Sequence, residues 1–176
     1  MAMTIDEAVE RLPHLVSPAH LAIADSQGRW QPIPHLMAID RALVEAWRTP
    51  NSRTAITVPF QHGKSMLGSI YFPAWVLLMW PETRIALASY EEGFATGFGG
   101  RVRDIVNRFG PALGVQLRDD TSAKGEWVID GHGGGMVCKG RGGALTGRPA
   151  DLLILDDLIK DAVEAQSPPI LEGIWD

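Results

Sequence analysis

The run that most constrains the fold of this chain extends from Thr54 to Ser65 and reads T-A-I-T-V-P-F-Q-H-G-K-S. An apolar, partly β-branched stretch at 55–58 predicts a strand, and the residues after Ser65 have the spacing of a helix. A loop between a strand and a helix N-terminus can bind phosphate, because its backbone N–H groups point at the anion. The sequence therefore predicts a phosphate-binding loop around Gly63.

Individual residues of this loop have distinct expected roles. Lys64 would contact the β- and γ-phosphates of a nucleotide, and the Ser65 hydroxyl would be a ligand of Mg²⁺. The usual sequence pattern of a phosphate-binding loop, G-x-x-x-x-G-K-[ST], also has glycine at position 58, where this chain has Val58. A surface turn that opens a helix is the alternative structure for this run. The residues expected to surround the phosphates are Gln61, His62, Gly63, Lys64, Ser65 and Met66.

A second run, Leu152-Leu-Ile-Leu155, directly precedes Asp156 and Asp157. Four consecutive apolar residues predict a fully buried central strand, and its C-terminal end is where open α/β sheets bind ligands. We expect Asp156 to hold Mg²⁺ and Asp157 to orient or activate the attacking water. The alternative is a strand followed by a helix, with Asp157 or Asp161 as the N-cap. Together with the G-K-S run, this strand favours nucleotide hydrolysis.

Composition indicates one α/β domain in a reducing cytosol. The chain has 176 residues, 45% of them hydrophobic, which is enough for a sizeable core. Its net charge of −5 provides no general positive field, so any DNA contact would need a local patch. Cys138 is the only cysteine, which excludes an intramolecular disulfide. The acidic N-terminus is unlike a signal peptide, and the longest apolar run, 70–80, is too short to span a bilayer.

The rest of the pattern alternates helices with strands. We expect helices at 4–12, 36–47, 64–72, 73–80 and 91–109, a strand at 84–89, and a hairpin of strands at 127–130 and 135–138. His35 is interpreted as a helix-start or packing residue rather than a ligand. The glycine-rich, cationic segment from Lys139 to Arg148 is either a simple connection or a functional loop beside the phosphate site. The predicted organisation is an N-terminal extension over 1–34 and a nucleotide-binding domain over 35–176.

Five short runs along the chain carry a resemblance to a known family. In order, they are P-F-Q-H-G-K-S (59–65), F-P-A-W (72–75), A-L-A-S-Y (86–90), G-R-G-G-A-L-T-G-R (140–148) and L-L-I-L-D-D-L-I-K-D (152–161). Together these runs resemble the large terminase subunits of tailed bacteriophages and prophages, the ATP-driven motors that package DNA into capsids. The resemblance extends from about His35 to Trp175 and so covers most of the chain.

This resemblance implies a P-loop ATPase fold of the α/β class, with a mainly parallel central sheet flanked by helices. An additional strand would lie between the phosphate loop and the acidic strand, which is the family's Walker B strand. The implied cofactors are ATP and Mg²⁺, and the implied location is the cytoplasm of a bacterial host. The implied partners are double-stranded DNA, the terminase small subunit, the capsid portal and further copies of the chain in a ring.

By matching position, Lys64 and Ser65 take the family's phosphate-loop roles and Asp156 the Mg²⁺ role. Asp157 stands where many relatives have a catalytic glutamate that is one methylene longer. Relatives commonly carry an arginine where this chain has Phe60 and Gln61, and that arginine is a γ-phosphate sensor. Hydrolysis in such rings also needs an arginine from the same or an adjacent subunit. The candidates for it are Arg101, Arg103 and Arg148.

The chain is expected to be the N-terminal ATPase region only, truncated before the family's coupling motif and its RNase H-like nuclease domain. Two alternatives remain beside a working terminase motor. One is a truncated nucleotide-binding or assembly fragment without turnover. The other is a different P-loop enzyme, such as a helicase or a small-molecule kinase, although the L-T-G-R and D-D-x-x-K-D runs argue against it.

Overall fold

The computed structural model describes residues 12–119, 123–143, 145 and 147–173. The chain divides into two compact units, Met1–Met79 and Trp80–Asp176. The helix predicted at 4–12 lies, except for its last residue, outside the described residues. Within the described part of the chain, no helix is long and apolar enough to cross a membrane.

The first unit is built from helices. A 3₁₀ turn (Pro13–Leu15) leads into α1 (Pro18–Asp25), and α2 (Pro34–Arg48) follows an irregular segment. Each of the three begins with proline, which fits the first helical position because an N–H there has no partner within the helix. The predicted helix at 36–47 is confirmed as α2. Its buried face consists of Leu36, Ile39, Asp40 and Leu43.

Polar contacts join the elements of this unit at buried positions. Asp40 on α2 accepts a hydrogen bond from the backbone N–H of Ala19, 2.8 Å away, in the first turn of α1. A carboxylate is favourable there because the N-terminus of a helix carries partial positive charge. The indole Nε1 of Trp75 donates to the carbonyl oxygen of Leu15 over 2.7 Å. These bonds satisfy polar groups that burial would otherwise leave without a partner.

A continuous helical segment follows the glycine of the G-K-S run. It consists of α3 (Lys64–Met66), a π-helical stretch (Leu67–Tyr71) and α4 (Phe72–Met79). The sequence predicts two helices that meet at Pro73, whereas the structure has no break there. A proline inside a helix removes one donor and crowds the carbonyl four residues earlier. The wider π turn directly before Phe72 is the kind of irregularity that accommodates such a ring.

The strand predicted at 55–58 is not formed. Residues 52–59 have no regular secondary structure, and most of them are exposed. β-branched residues favour a strand only where a neighbouring strand supplies hydrogen bonds and packing. All strands of the described chain belong to the second unit, so this segment has no partner strand within its own unit.

The second unit contains a mixed four-stranded sheet in the order β2-β3-β1-β4. Strands β1 (Arg84–Ser89), β3 (Gly135–Gly140) and β4 (Leu152–Asp156) are parallel, and β2 (Glu126–Val128) pairs antiparallel with β3. Helix α5 (Glu92–Phe109) packs on β3 and β1. The predicted strand at 84–89, the helix at 91–109 and the hairpin are all confirmed. The protein is therefore of the α/β class, with helices flanking the sheet.

Strand β4 lies at an edge of this sheet, so the prediction of a fully buried central strand is wrong. It pairs with β1 on one side, and no described strand pairs with its other side. Leu153 and Leu155 are 56% and 52% exposed. Strand β1 has the buried position instead, with every residue from Ile85 to Ser89 buried. A run of four apolar residues could not distinguish these cases, because it does not reveal how many strands lie beside it.

The segment after β4 contains a 3₁₀ turn (Glu164–Gln166) and a short helix, α6 (Pro168–Glu172). Asp161 Oδ1 accepts hydrogen bonds from the backbone N–H groups of Val163 and Glu164, at 2.9 and 3.0 Å. Asp161 thus closes the turn before the 3₁₀ segment, but the N-cap residue of that segment is Val163, which makes no side-chain cap hydrogen bond.

Candidate functional site

The backbone around Gly63 has a conformation that can bind an anion. Gly63 has a φ of 81° and Gln61 a φ of 61°, both in the left-handed region. Glycine adopts this region without steric cost, whereas it is uncommon for glutamine. Lys64 follows Gly63 directly and is right-handed helical. Adjacent residues of opposite hand turn their N–H groups to one side and form a concavity that attracts anions.

The first turn of α2 supports this loop. His35 Nε2 donates a hydrogen bond to the carbonyl oxygen of His62 over 3.1 Å, and the two ring centroids are 5.5 Å apart. A Cβ atom added at Gly63 would lie 3.1 Å from Leu36 Cδ2, so the Leu36 side chain packs closely on the loop. His35, interpreted as a helix-start or packing residue, lies at the start of α2 and also holds the loop in place.

The six predicted loop residues, 61–66, lie together in one continuous turn of the first unit. Lys64 and Ser65 are half-buried, whereas Gln61 and His62 are exposed. His62 Nδ1 donates to the carbonyl oxygen of Phe60 over 2.7 Å, which fixes the orientation of the ring. The Phe60 side chain is 96% exposed. Its ring carries no charge, so this position offers nothing equivalent to an arginine that contacts phosphate.

The two predicted acids lie together at the carboxyl end of the parallel pair β1 and β4. Asp156 is buried and pairs in register with Ser89, while Asp157 is exposed. Asp157 has a φ of 48°, in the left-handed region that aspartate tolerates better than most residues. Its carbonyl oxygen accepts a hydrogen bond from the N–H of Tyr90 over 3.1 Å. The chain thus turns sharply at Asp157, as it leaves the strand.

These two groups of residues belong to different compact units. Lys64 and Ser65 lie in the first unit, and Asp156 and Asp157 lie in the second. In the described residues no cluster of three or more His, Cys, Asp or Glu side chains could hold a metal ion. Mg²⁺ does not need such a cluster, because it typically takes one or two carboxylates, waters and substrate phosphates. Ser65 in the first unit and Asp156 in the second each carry a hard oxygen donor of the kind that Mg²⁺ prefers.

The glycine-rich segment after β3 is tied to its surroundings by Arg141, which the sequence did not single out. Its guanidinium donates to both carboxylate oxygens of Glu164, at 2.7 and 3.0 Å, and to the carbonyl oxygen of Leu158 at 3.0 Å. The Arg141 guanidinium lowers the pKa of Glu164 to about 2. The two residues are 23 positions apart, so no local pattern could have paired them.

Two of the three candidate arginines contact acids. Arg148 donates to Glu126, the first residue of β2, and thereby lowers the pKa of that carboxyl. Arg103 Nη2 lies 3.7 Å from Asp104 Oδ1. Arg101 is exposed on α5. The role of an arginine contributed to hydrolysis stays a prediction for all three.

No protein-family model matches this chain, and no curated protein matches it either.

Proposed function

We propose that this chain binds Mg·ATP and hydrolyses it as the motor portion of a terminase large subunit, driving double-stranded DNA into capsids. The observation that carries the nucleotide-binding part is the left-handed Gly63, with φ of 81°, directly before the helical segment that begins at Lys64. That conformation turns backbone N–H groups toward an anion at the beginning of 16 helical residues, 64–79.

Each site residue has a role in this proposal. The backbone of 61–66 binds the phosphates, and the Lys64 ammonium contacts the β- and γ-phosphate oxygens. Ser65 and Asp156 would be the protein ligands of the magnesium ion, which would supply positive charge to offset that of the phosphates. Asp157 orients the attacking water and accepts its proton. Because its side chain is one methylene shorter than that of glutamate, the water must lie correspondingly closer to its backbone.

The packaging part of the proposal depends on the five sequence runs that resemble terminases. A motor of this class acts on double-stranded DNA together with a small subunit, a capsid portal and other copies of itself in a ring. The net charge of −5 supports a DNA contact only through a local patch. Arg101 and Arg108 are exposed on α5 and are the residues we propose for such a patch.

The first test is calorimetric titration of the chain with Mg·ATP, followed by phosphate release on the same sample. Lys64→Ala is expected to abolish turnover and to weaken binding, while Asp157→Asn is expected to keep binding and lose turnover. Lys124→Ala, in the second unit, is the matched control and should change neither. Hydrolysis by the Lys64→Ala chain at the wild-type rate would exclude this mechanism.

A second candidate function is nucleotide binding without turnover, as a binding or assembly fragment. The observation that favours it is the fully exposed Phe60, which stands with Gln61 where relatives carry a γ-phosphate sensor. This candidate predicts normal ATP affinity and no phosphate release, even when DNA and a small subunit are added. Lys64-dependent turnover would exclude it.

A further inference from the structure

The chain after Asp157 has little regular structure of its own. Residues 157–163 contain no helix or strand before the 3₁₀ turn (Glu164–Gln166). Asp157 itself is held in the left-handed region, with φ of 48°. A non-glycine residue stays in that region only where its surroundings fix the backbone. The contacts that surround this stretch therefore determine where the Asp157 side chain lies.

Arg141 and its partner Glu164 supply several of those contacts. The backbone N–H of Arg141 donates to the carbonyl oxygen of Ser89, the last residue of β1, over 2.8 Å. Its guanidinium binds both oxygens of Glu164 and the carbonyl oxygen of Leu158, the residue after Asp157. Glu164 Oε2 also accepts the backbone N–H of Lys160 over 2.9 Å. Arg141 thus connects the end of β1, through its backbone, to both ends of the segment behind β4, through its side chain.

From these contacts we infer that Arg141 is a positioning residue for Asp157. This inference deepens the proposed function and depends on it for its catalytic meaning. The Asp157 backbone is fixed by the Tyr90 N–H on its own carbonyl and by the Arg141 guanidinium on the next carbonyl. Loss of the guanidinium releases the second of these contacts and lets the carboxylate move away from the water that it orients.

The geometry explains why arginine is needed at this position. Both partners of the ion pair are only about a fifth exposed, at 23% and 21% for Arg141 and Glu164. Two parallel N–H···O bonds between a guanidinium and a carboxylate fix orientation as well as distance. A lysine ammonium is a point charge without this planar fork, so it can neutralise Glu164 but cannot also fix the carbonyl of Leu158 in the same geometry.

Amide hydrogen exchange tests the inference without requiring turnover. In Arg141→Ala, peptides that cover 157–164 are expected to exchange about tenfold faster than in the wild-type chain. Glu164→Gln, which keeps the shape and removes the charge, should give a change in the same direction. Arg84→Ala is the matched control, because Arg84 makes the same kind of fork with Asp151 at the opposite end of β1 and β4. Unchanged exchange at 157–164 in both Arg141→Ala and Glu164→Gln would overturn the inference.

Kinetics supply the second readout. Arg141→Ala is expected to lower kcat for ATP hydrolysis about 10- to 100-fold and to leave KM for Mg·ATP within about twofold, because the phosphate loop is untouched. Arg141→Lys should recover part of the protection from exchange and little of the kcat. Equal kcat in wild type and Arg141→Ala would overturn the positioning role while leaving Lys64-dependent hydrolysis intact. Absence of Lys64-dependent hydrolysis in the wild type would instead contradict the proposed function, and hydrogen exchange would still decide whether Arg141 holds the segment.

Discussion

His35 Nε2 donates a hydrogen bond to the carbonyl oxygen of His62, 3.1 Å away, and so connects the first turn of α2 to the residue before Gly63. The next residue of α2, Leu36, packs on Gly63 itself. Two consecutive residues of one helix therefore hold the loop at His62 and Gly63. The position of the loop is set by α2 as well as by its own sequence.

We expect His35→Ala to weaken Mg·ATP binding about two- to tenfold, since the loop loses one hydrogen bond that orders it before the ligand arrives. Calorimetric titration at fixed pH and magnesium concentration measures the change. His132→Ala is the control, because the His132 ring bonds Glu82 in the second unit. Equal affinities for the wild type and His35→Ala would show that the loop needs no support from α2.

The glycines of α5 illustrate what composition alone leaves open. From the sequence, glycines in this helix simply lower its stability, because glycine has poor helix propensity. In the structure, the glycines of this helix have different surroundings. Gly97 is exposed with nothing within 4 Å of an added Cβ, whereas at Gly99 that atom would lie 2.6 Å from the Lys124 carbonyl oxygen and 2.7 Å from Cys138 Sγ. Gly99 therefore permits the close approach of the helix to the sheet.

Gly97→Ala and Gly99→Ala are expected to change stability in opposite directions. The first should raise the free energy of unfolding by about 0.5–1 kcal/mol, because alanine is the better helix former at an open position. The second should lower it by about 1–3 kcal/mol, because the backbone at Lys124 cannot move aside cheaply. Urea denaturation of both variants measures the difference. Changes of the same sign in the two variants would contradict the contact at Gly99.

Elements with a clear local period could be predicted from the sequence, and those that depend on distant partners could not. The buried face of α2 follows from the helical spacing of its apolar residues. The hairpin of β2 and β3 follows from the glycine-rich turn between two short apolar runs. The absence of a strand at 55–58 and the edge position of β4 depend on which strands lie beside them. The loop and the acid pair were found because their residues are adjacent in the sequence. Arg141 and Glu164 were missed because only the fold brings them together.

The fork between Arg84 and Asp151 predicts a pH-dependent contribution to stability. Arg84 Nε and Nη2 donate to the Asp151 carboxylate at 2.9 and 2.7 Å and lower the pKa of Asp151 to about 2. A lowered pKa in the folded state means that the pair stabilises the protein above about pH 4 and that this contribution is lost as pH falls toward 2. Solvent screens the pair, since the Asp151 side chain is 40% exposed.

We therefore expect Asp151→Asn to lower the free energy of unfolding by less than about 1 kcal/mol at pH 7. The difference from wild type should shrink as the pH is lowered from 4 to 3, where Asp151 begins to take up a proton in the unfolded chain. Urea denaturation over this range provides the measurement, with Asp119→Asn as an exposed control. A difference that grows toward low pH would contradict the assigned direction of the pKa shift.

The single cysteine reports on the integrity of the second unit. Cys138 lies in β3 with no exposed surface, and burial raises the pKa of its thiol to about 12. Because the thiolate is the reactive form, the folded chain should resist alkylation at pH 8 and react only after unfolding. Labelling followed by mass spectrometry, with and without urea, measures the ratio of the alkylation rates of the unfolded and folded chains.

Gly99→Ala should label faster than wild type under native conditions, since an added methyl would press against Cys138 Sγ, whereas Gly97→Ala should not. Rapid labelling of the folded wild-type chain would contradict the packing of α5 on β3.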